Sequence, residues 1–213
     1  INEAEKIKEQ LSFASDLNFG TFFHDVMSKL FSDFSTAYYY LDKKKRKMRE
    51  KFMDKNLLQK IDLNEHFIYF PMSTDLERHL LIDSPYYTNQ IEVIRNVAKS
   101  IPINYLLYVK ENPSNITRDW REISQYEDLL DIPNVRILHP EFSNAGSSSF
   151  EAAFYEKPSI VFGEVLYSGL PSVTKVKNIE DLSKNIRDSL KEKVHSDDLS
   201  RYLELLKENT FEF

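Results

Sequence analysis

Apolar residues recur at helical spacing through the first sixty positions and in short, uninterrupted runs after residue 66, and this change of rhythm divides the chain. Phe23, Val26, Met27, Leu30, Phe31 and Phe34 fall at i, i+3 and i+4 intervals, which predicts one face of a helix used for packing. From residue 66 onward, apolar runs alternate with amphipathic segments. His66-Phe67-Ile68-Tyr69-Phe70 reads as a strand ended by Pro71. Residues 87–100 read as a helix with Ile91, Ile94, Val97 and Ile101 facing inward and Pro102 beyond its end. A second strand is expected over 105–109, a helix over 123–130, a third strand over 135–138, a helix over 149–155 and a strand over 159–162 that stops at Gly163. Helices over 179–194 and 199–207 complete the pattern. Such alternation feeds a parallel sheet, so the expected class is α/β: a Rossmann-like sheet flanked by helices over 63–213, preceded by a helical segment or linker over 1–62.

One connection breaks the rhythm. Only about six residues separate Leu138 from the Ala145-Gly146 turn, whereas a βαβ crossover needs at least ~10 to 12. A shortened connection or an omitted piece would account for this, and the reading favours omission. The opening Ile1-Asn2-Glu3-Ala4 is neither an initiator Met nor a signal peptide, which suggests a piece of a longer protein.

Composition narrows the chemistry. Hydrophobic residues at 41% and charged residues at 29% suit a folded protein with a sizeable core rather than a disordered one. A net charge of −6 argues against a general nucleic-acid binder, so none is expected as partner. The absence of cysteine excludes disulfides, thiolate metal sites and cysteine nucleophiles, and fits a reducing compartment. The histidines at 24, 66, 79, 139 and 195 lack ligand spacing, so no metal site is expected. Neither the P-loop nor the dinucleotide-binding glycine pattern is present. A basic run over Lys43-Lys44-Lys45-Arg46-Lys47, with Arg49 and Lys51, reads either as a solvated helical face or as a contact with an anionic membrane surface or glycan.

The strongest chemical signal is Ala145-Gly146-Ser147-Ser148-Ser149-Phe150-Glu151, a small hydroxyl-rich turn running into a helix. Backbone N–H groups at a helix start, with the helix dipole and Ser hydroxyls, favour an anion, and Gly146 allows close approach. A single Ser acting as N-cap is the plainer alternative. Glu151 suits a first helical turn in either case. Lys110 reads as a phosphate partner or as a strand-end side chain reaching for water.

The stretch from Ala145 through Glu151-Ala152-Ala153 and Glu156-Lys157-Pro158 to Val161-Phe162-Gly163 resembles the signature of the capsule polysaccharide biosynthesis family, which are GT-B glycosyltransferases. That signature has a Gly-Ser/Thr turn, an aromatic, Glu-Ala, Gly-Lys-Pro, an apolar strand and Phe-Gly. Here Glu156 stands where the family has Gly. Upstream, Phe70-Pro71, Glu77, Gln90 and Tyr108-Val109-Lys110-Glu111-Asn112-Pro113 are similar to further family elements, with Asn112 in place of a His. Downstream, Tyr167-Ser168-Gly169-Leu170-Pro171 continues the likeness, which spans about residues 66–190.

The resemblance implies the C-terminal, nucleotide-sugar-binding half of a metal-independent transferase, cytoplasmic or at the inner face of the membrane. The donor would be a nucleotide sugar, CMP-Kdo or a similar CMP-linked sugar, and the acceptor a capsular glycan, with no separate cofactor. Carried over by position, Gly146, Ser147, Ser148, Ser149, Lys110 and Asn112 would hold the donor phosphate. Glu151, Pro113, Phe162, Gly163 and Tyr167 would hold ribose and base, and Glu77 and Gln90 would touch donor or acceptor. The resemblance names no catalytic base within the chain; in GT-B enzymes it comes from the other domain. The alternatives are a non-catalytic nucleotide-binding or assembly module of a polysaccharide apparatus, and another GT-B enzyme such as a sugar-nucleotide epimerase.

Overall fold

The computed structural model describes residues 19–73, 81–82, 84–113, 121–142, 148–165 and 167–209; for 19–26, 30, 33, 34, 37, 142, 148–150, 196 and 209 it describes the backbone alone. The chain divides into two compact units between Glu50 and Lys51. In the first unit the described residues form helix α1 (Phe19–Asn56), which runs on into the second. Of the stripe expected to pack, Phe31 is two-thirds exposed. The side chains of Phe23, Val26, Leu30 and Phe34 lie outside the described residues.

The second unit holds an α/β arrangement. Strands β1 (Phe67–Pro71), β2 (Leu106–Lys110) and β3 (Val135–Leu138) form a parallel sheet in the order β1-β2-β3, with Phe67 opposite Leu106 and Lys110 opposite Leu138. Leu107, Tyr108 and Val109 are all buried, as a strand covered on both faces requires.

Helix α2 (Gln90–Ser100) follows β1. Asn89 caps it by accepting from the Glu92 N–H at 3.2 Å, and Ile91, Ile94, Val97 and Ala98 supply its buried face. It stops at Ile101, which is extended because Pro102 disfavours the helical conformation before it. Helix α3 (Ile123–Leu130) opens with a reciprocal cap between Glu122 and Gln125, and buries Tyr126 and Leu129.

After β3 come α4 (Ser148–Phe154), β4 (Ser159–Val161), β5 (Val173–Lys175), α5 (Leu182–Ser189) and α6 (Ser196–Asn209). β4 and β5 form a separate parallel pair. β5 was not expected from the sequence. The long helix expected over 179–194 is instead a 3-10 turn at Ile179–Asp181 followed by the shorter α5.

The main core joins Met53 and Leu57, at and just past the end of α1, to the buried faces of α2, α3, α5 and the first sheet. A second cluster gathers Ala153, Val161, Leu170, Val173 and Leu199. β4 separates them: Ile160 and Phe162 pack toward the main core while Val161 belongs to the second, as the two-residue period of a strand dictates.

Helix α4 ends where the Glu156-Lys157-Pro158 motif begins. Glu156 has φ 54°, and it alone among the described non-glycine residues lies at positive φ. The Glu156 N–H donates to the Ala153 carbonyl at 3.1 Å, and the Lys157 N–H to the Ala152 carbonyl at 2.9 Å. These paired bonds are the Schellman stop, whose left-handed position favours glycine. This chain fills that glycine-favouring position with Glu.

Candidate functional site

Parallel strands deliver their following loops to one edge, and at the carboxyl edge of β1 and β2 the described residues form a buried polar knot. Glu111 follows β2 at once and is 1% exposed. One carboxylate oxygen, Oε2, accepts from Arg121 Nε and from the Tyr126 hydroxyl, each at 2.9 Å; the other accepts from the Asn112 N–H at 2.7 Å. Arg121 also donates to the Ser73 carbonyl at 3.1 Å. Ser73 is held a second time, by Gln90: the side-chain oxygen accepts from the Ser73 N–H at 2.7 Å and Nε2 donates to its carbonyl at 2.9 Å. The charged pair and Gln90 together tie the chain leaving β1, the chain leaving β2 and the starts of α2 and α3.

Lys110 points into the same region. Its ammonium donates to the carbonyls of Glu111 at 3.0 Å and Pro140 at 2.7 Å, and burial lowers its pKa, partly offset by the Glu111 charge. His139, at the end of β3, is also buried; Nε2 lies 3.3 Å from Asp54 Oδ1 and Nδ1 accepts from the Glu141 N–H at 3.3 Å.

A cleft of about 1060 Å³ opens against the start of α2. Its walls are the approach to α2 (Tyr86, Tyr87, Asn89, Glu92), the residues leaving β4 (Phe162, Gly163, Glu164) and the end of β5 with its continuation (Lys175, Lys177, Asn178). Tyr87 and Phe162 set their ring centroids 5.0 Å apart at 57°, forming an aromatic wall. Lys175 pairs with Glu164, whose carboxyl is held below the usual range first by the lysine hydrogen bond and then by its charge. A smaller hollow of about 440 Å³ lies between Thr174 and α5 and holds none of the expected site residues.

The expected residues thus fall in different places. Phe162 and Gly163 line the cleft. Gln90 and Lys110 have their polar ends bound to backbone in the knot, and Asn112 and Pro113 are half-buried beside it. Tyr167 packs against the second cluster. Glu151 is exposed in α4, close enough to Tyr69 of β1 that its charge adds to burial in raising that phenol. Glu77, Gly146 and Ser147 lie outside the described residues, as do the side chains of Ser148 and Ser149. Arg121, Tyr126, Tyr87 and Lys175 were not picked out by sequence reasoning. Only the Pro85-Tyr86-Tyr87 triplet ahead of a helix cap could have signalled one of them.

No family model matches the chain, and no curated protein and no solved structure matches it.

Proposed function

We propose that the chain is the donor-binding half of a glycosyltransferase of capsular or surface polysaccharide synthesis, using a nucleotide-activated sugar of the CMP-linked class. The observation that carries this reading is the position of the cleft. It lies outside the carboxyl ends of the parallel pair β4 and β5 and against the start of α2. Ligands of α/β folds bind in crevices outside the carboxyl ends of parallel strands. Phe162 and Gly163, assigned to base and ribose on the family resemblance, are part of its wall.

In this reading the cytosine ring packs against Phe162 and Tyr87, and Asn89 and Asn178 offer amides to the ribose hydroxyls. The phosphate remains assigned to Gly146 through Ser149, on the sequence pattern alone. The buried knot acts indirectly, by fixing Ser73 and the start of α2 so that the cleft wall is formed before ligand arrives.

Isothermal titration with CMP, CDP and UDP tests the reading. CMP should bind the intact chain, Phe162→Ala should weaken it roughly tenfold through lost ring packing, and the Ser148→Ala/Ser149→Ala pair should abolish it. Failure of all three nucleotides to bind the intact chain would remove the proposal.

A further inference from the structure

Helix α1 carries a surface that the nucleotide reading leaves unused. Between Tyr38 and Glu50 lie six cationic residues and two carboxylates, in a chain whose net charge is −6. The sorting of these residues around the helix is the informative feature. At 3.6 residues per turn, Tyr40, Lys44 and Lys47 follow one another at four and three residues, and Leu41 and Met48 stand two turns apart beside them. Asp42 falls on the opposite face, where its carboxylate is taken by Arg46 at 2.7 Å, and Glu50 borders the face one turn beyond Lys47.

Tyr40, Leu41 and Met48 are 66%, 60% and 56% exposed. The ammonium groups of Lys44 and Lys47 have no carboxylate partner among the described residues. One face of the helix therefore offers apolar side chains, a tyrosine and lysines together, and no acid between Tyr38 and Glu50.

We propose that this face of α1 docks on the surface of an anionic lipid bilayer. Lysines at that spacing meet lipid phosphates, Leu41 and Met48 enter the boundary between headgroups and acyl chains, and Tyr40 lies with its ring at that depth and its hydroxyl in water. A nucleic-acid backbone would satisfy the lysines but leave Leu41 and Met48 against phosphate, so a bilayer fits the whole face better. The contact is interfacial, since no described helix is long and apolar enough to cross a membrane. The proposal stands apart from the nucleotide reading and survives its failure.

The test is co-sedimentation of the purified chain with vesicles of phosphatidylcholine alone, or with about a third phosphatidylglycerol to supply the negative surface. The chain should bind the anionic vesicles, release with salt and ignore the neutral ones. The Lys44→Ala/Lys47→Ala variant should bind roughly 25-fold less, at about fivefold per lysine. Leu41→Ser/Met48→Ser should weaken binding at unchanged charge. Circular dichroism should show the same helix in both variants, because the altered side chains are exposed. Equal binding to neutral vesicles, no binding to anionic ones, or unchanged binding by both variants would overturn the proposal. So would tighter binding to duplex DNA than to vesicles, or a wild-type dimer in sedimentation velocity that the Leu41/Met48 variant dissociates.

Discussion

Arg121 Nε donates to Glu111 Oε2 at 2.9 Å with both side chains almost wholly out of water, across a separation of ten residues. Removing one partner strands the other charge in the interior. Arg121→Met should therefore cost about 3–5 kcal/mol, while the Arg121→Met/Glu111→Gln double variant, which buries no net charge, should recover part of it. Urea unfolding of the two variants measures the difference. A loss below about 1 kcal/mol for the single variant, the range of an exposed pair, would show the pair to be solvated in solution.

Glu156 should be an easy position at which to stabilise the chain. Its φ of 54° is comfortable for glycine and strained for a side chain. Glu156 is exposed, so nothing packed is lost with its side chain. Glu156→Gly should raise stability by about 1 kcal/mol, and Glu156→Val, branched at Cβ, should lower it. Thermal melts of the two variants should move in opposite directions.

The alkaline limb of stability should be set in part by Tyr69 and Tyr108. Burial raises both phenols above 10.0, with the Glu151 charge adding at Tyr69 and the hydrogen bond to Glu65 adding at Tyr108. In the unfolded chain the same phenols ionise near 10.0. Their contribution is thus complete below that pH and is lost as pH rises toward the folded values, because only the unfolded state then releases protons. Ultraviolet titration of the native chain should show late-titrating tyrosines. Tyr69→Phe/Tyr108→Phe should flatten the fall in stability above pH 10.0, and an unchanged slope would contradict the assignment.

Legibility in the sequence followed the presence of local stop and start signals. α3 and β3 were read to the residue, because Glu122 and Gln125 mark one boundary and Pro133-Asn134 another. β5 escaped, since Val-Thr-Lys buries one side chain fully and has no apolar run; its strand conformation comes from pairing with β4. At the site, Phe162-Gly163 was legible as a strand end. The union of Glu111 with Arg121, Tyr126 and Ser73 was not, because it is created by parallel strands bringing separate loops to one edge and leaves no periodicity behind. The left-handed turn at Glu156 left no mark in the sequence, because Glu stands where the Schellman bonds favour glycine.

The short stretch after α1 has a protective consequence. Leu58 donates its N–H to the Ile137 carbonyl and accepts from the His139 N–H, each at 2.9 Å, so it occupies hydrogen-bonding positions on the outer side of β3. An uncovered edge strand invites pairing with another chain. A fragment begun at residue 63, the expected start of the α/β segment, would lose Leu58 together with Met53 and Leu57 of the core, leaving a bare β3 edge beside an opened apolar floor. The segment that looks like a linker thus shields the β3 edge of the sheet from pairing with another chain.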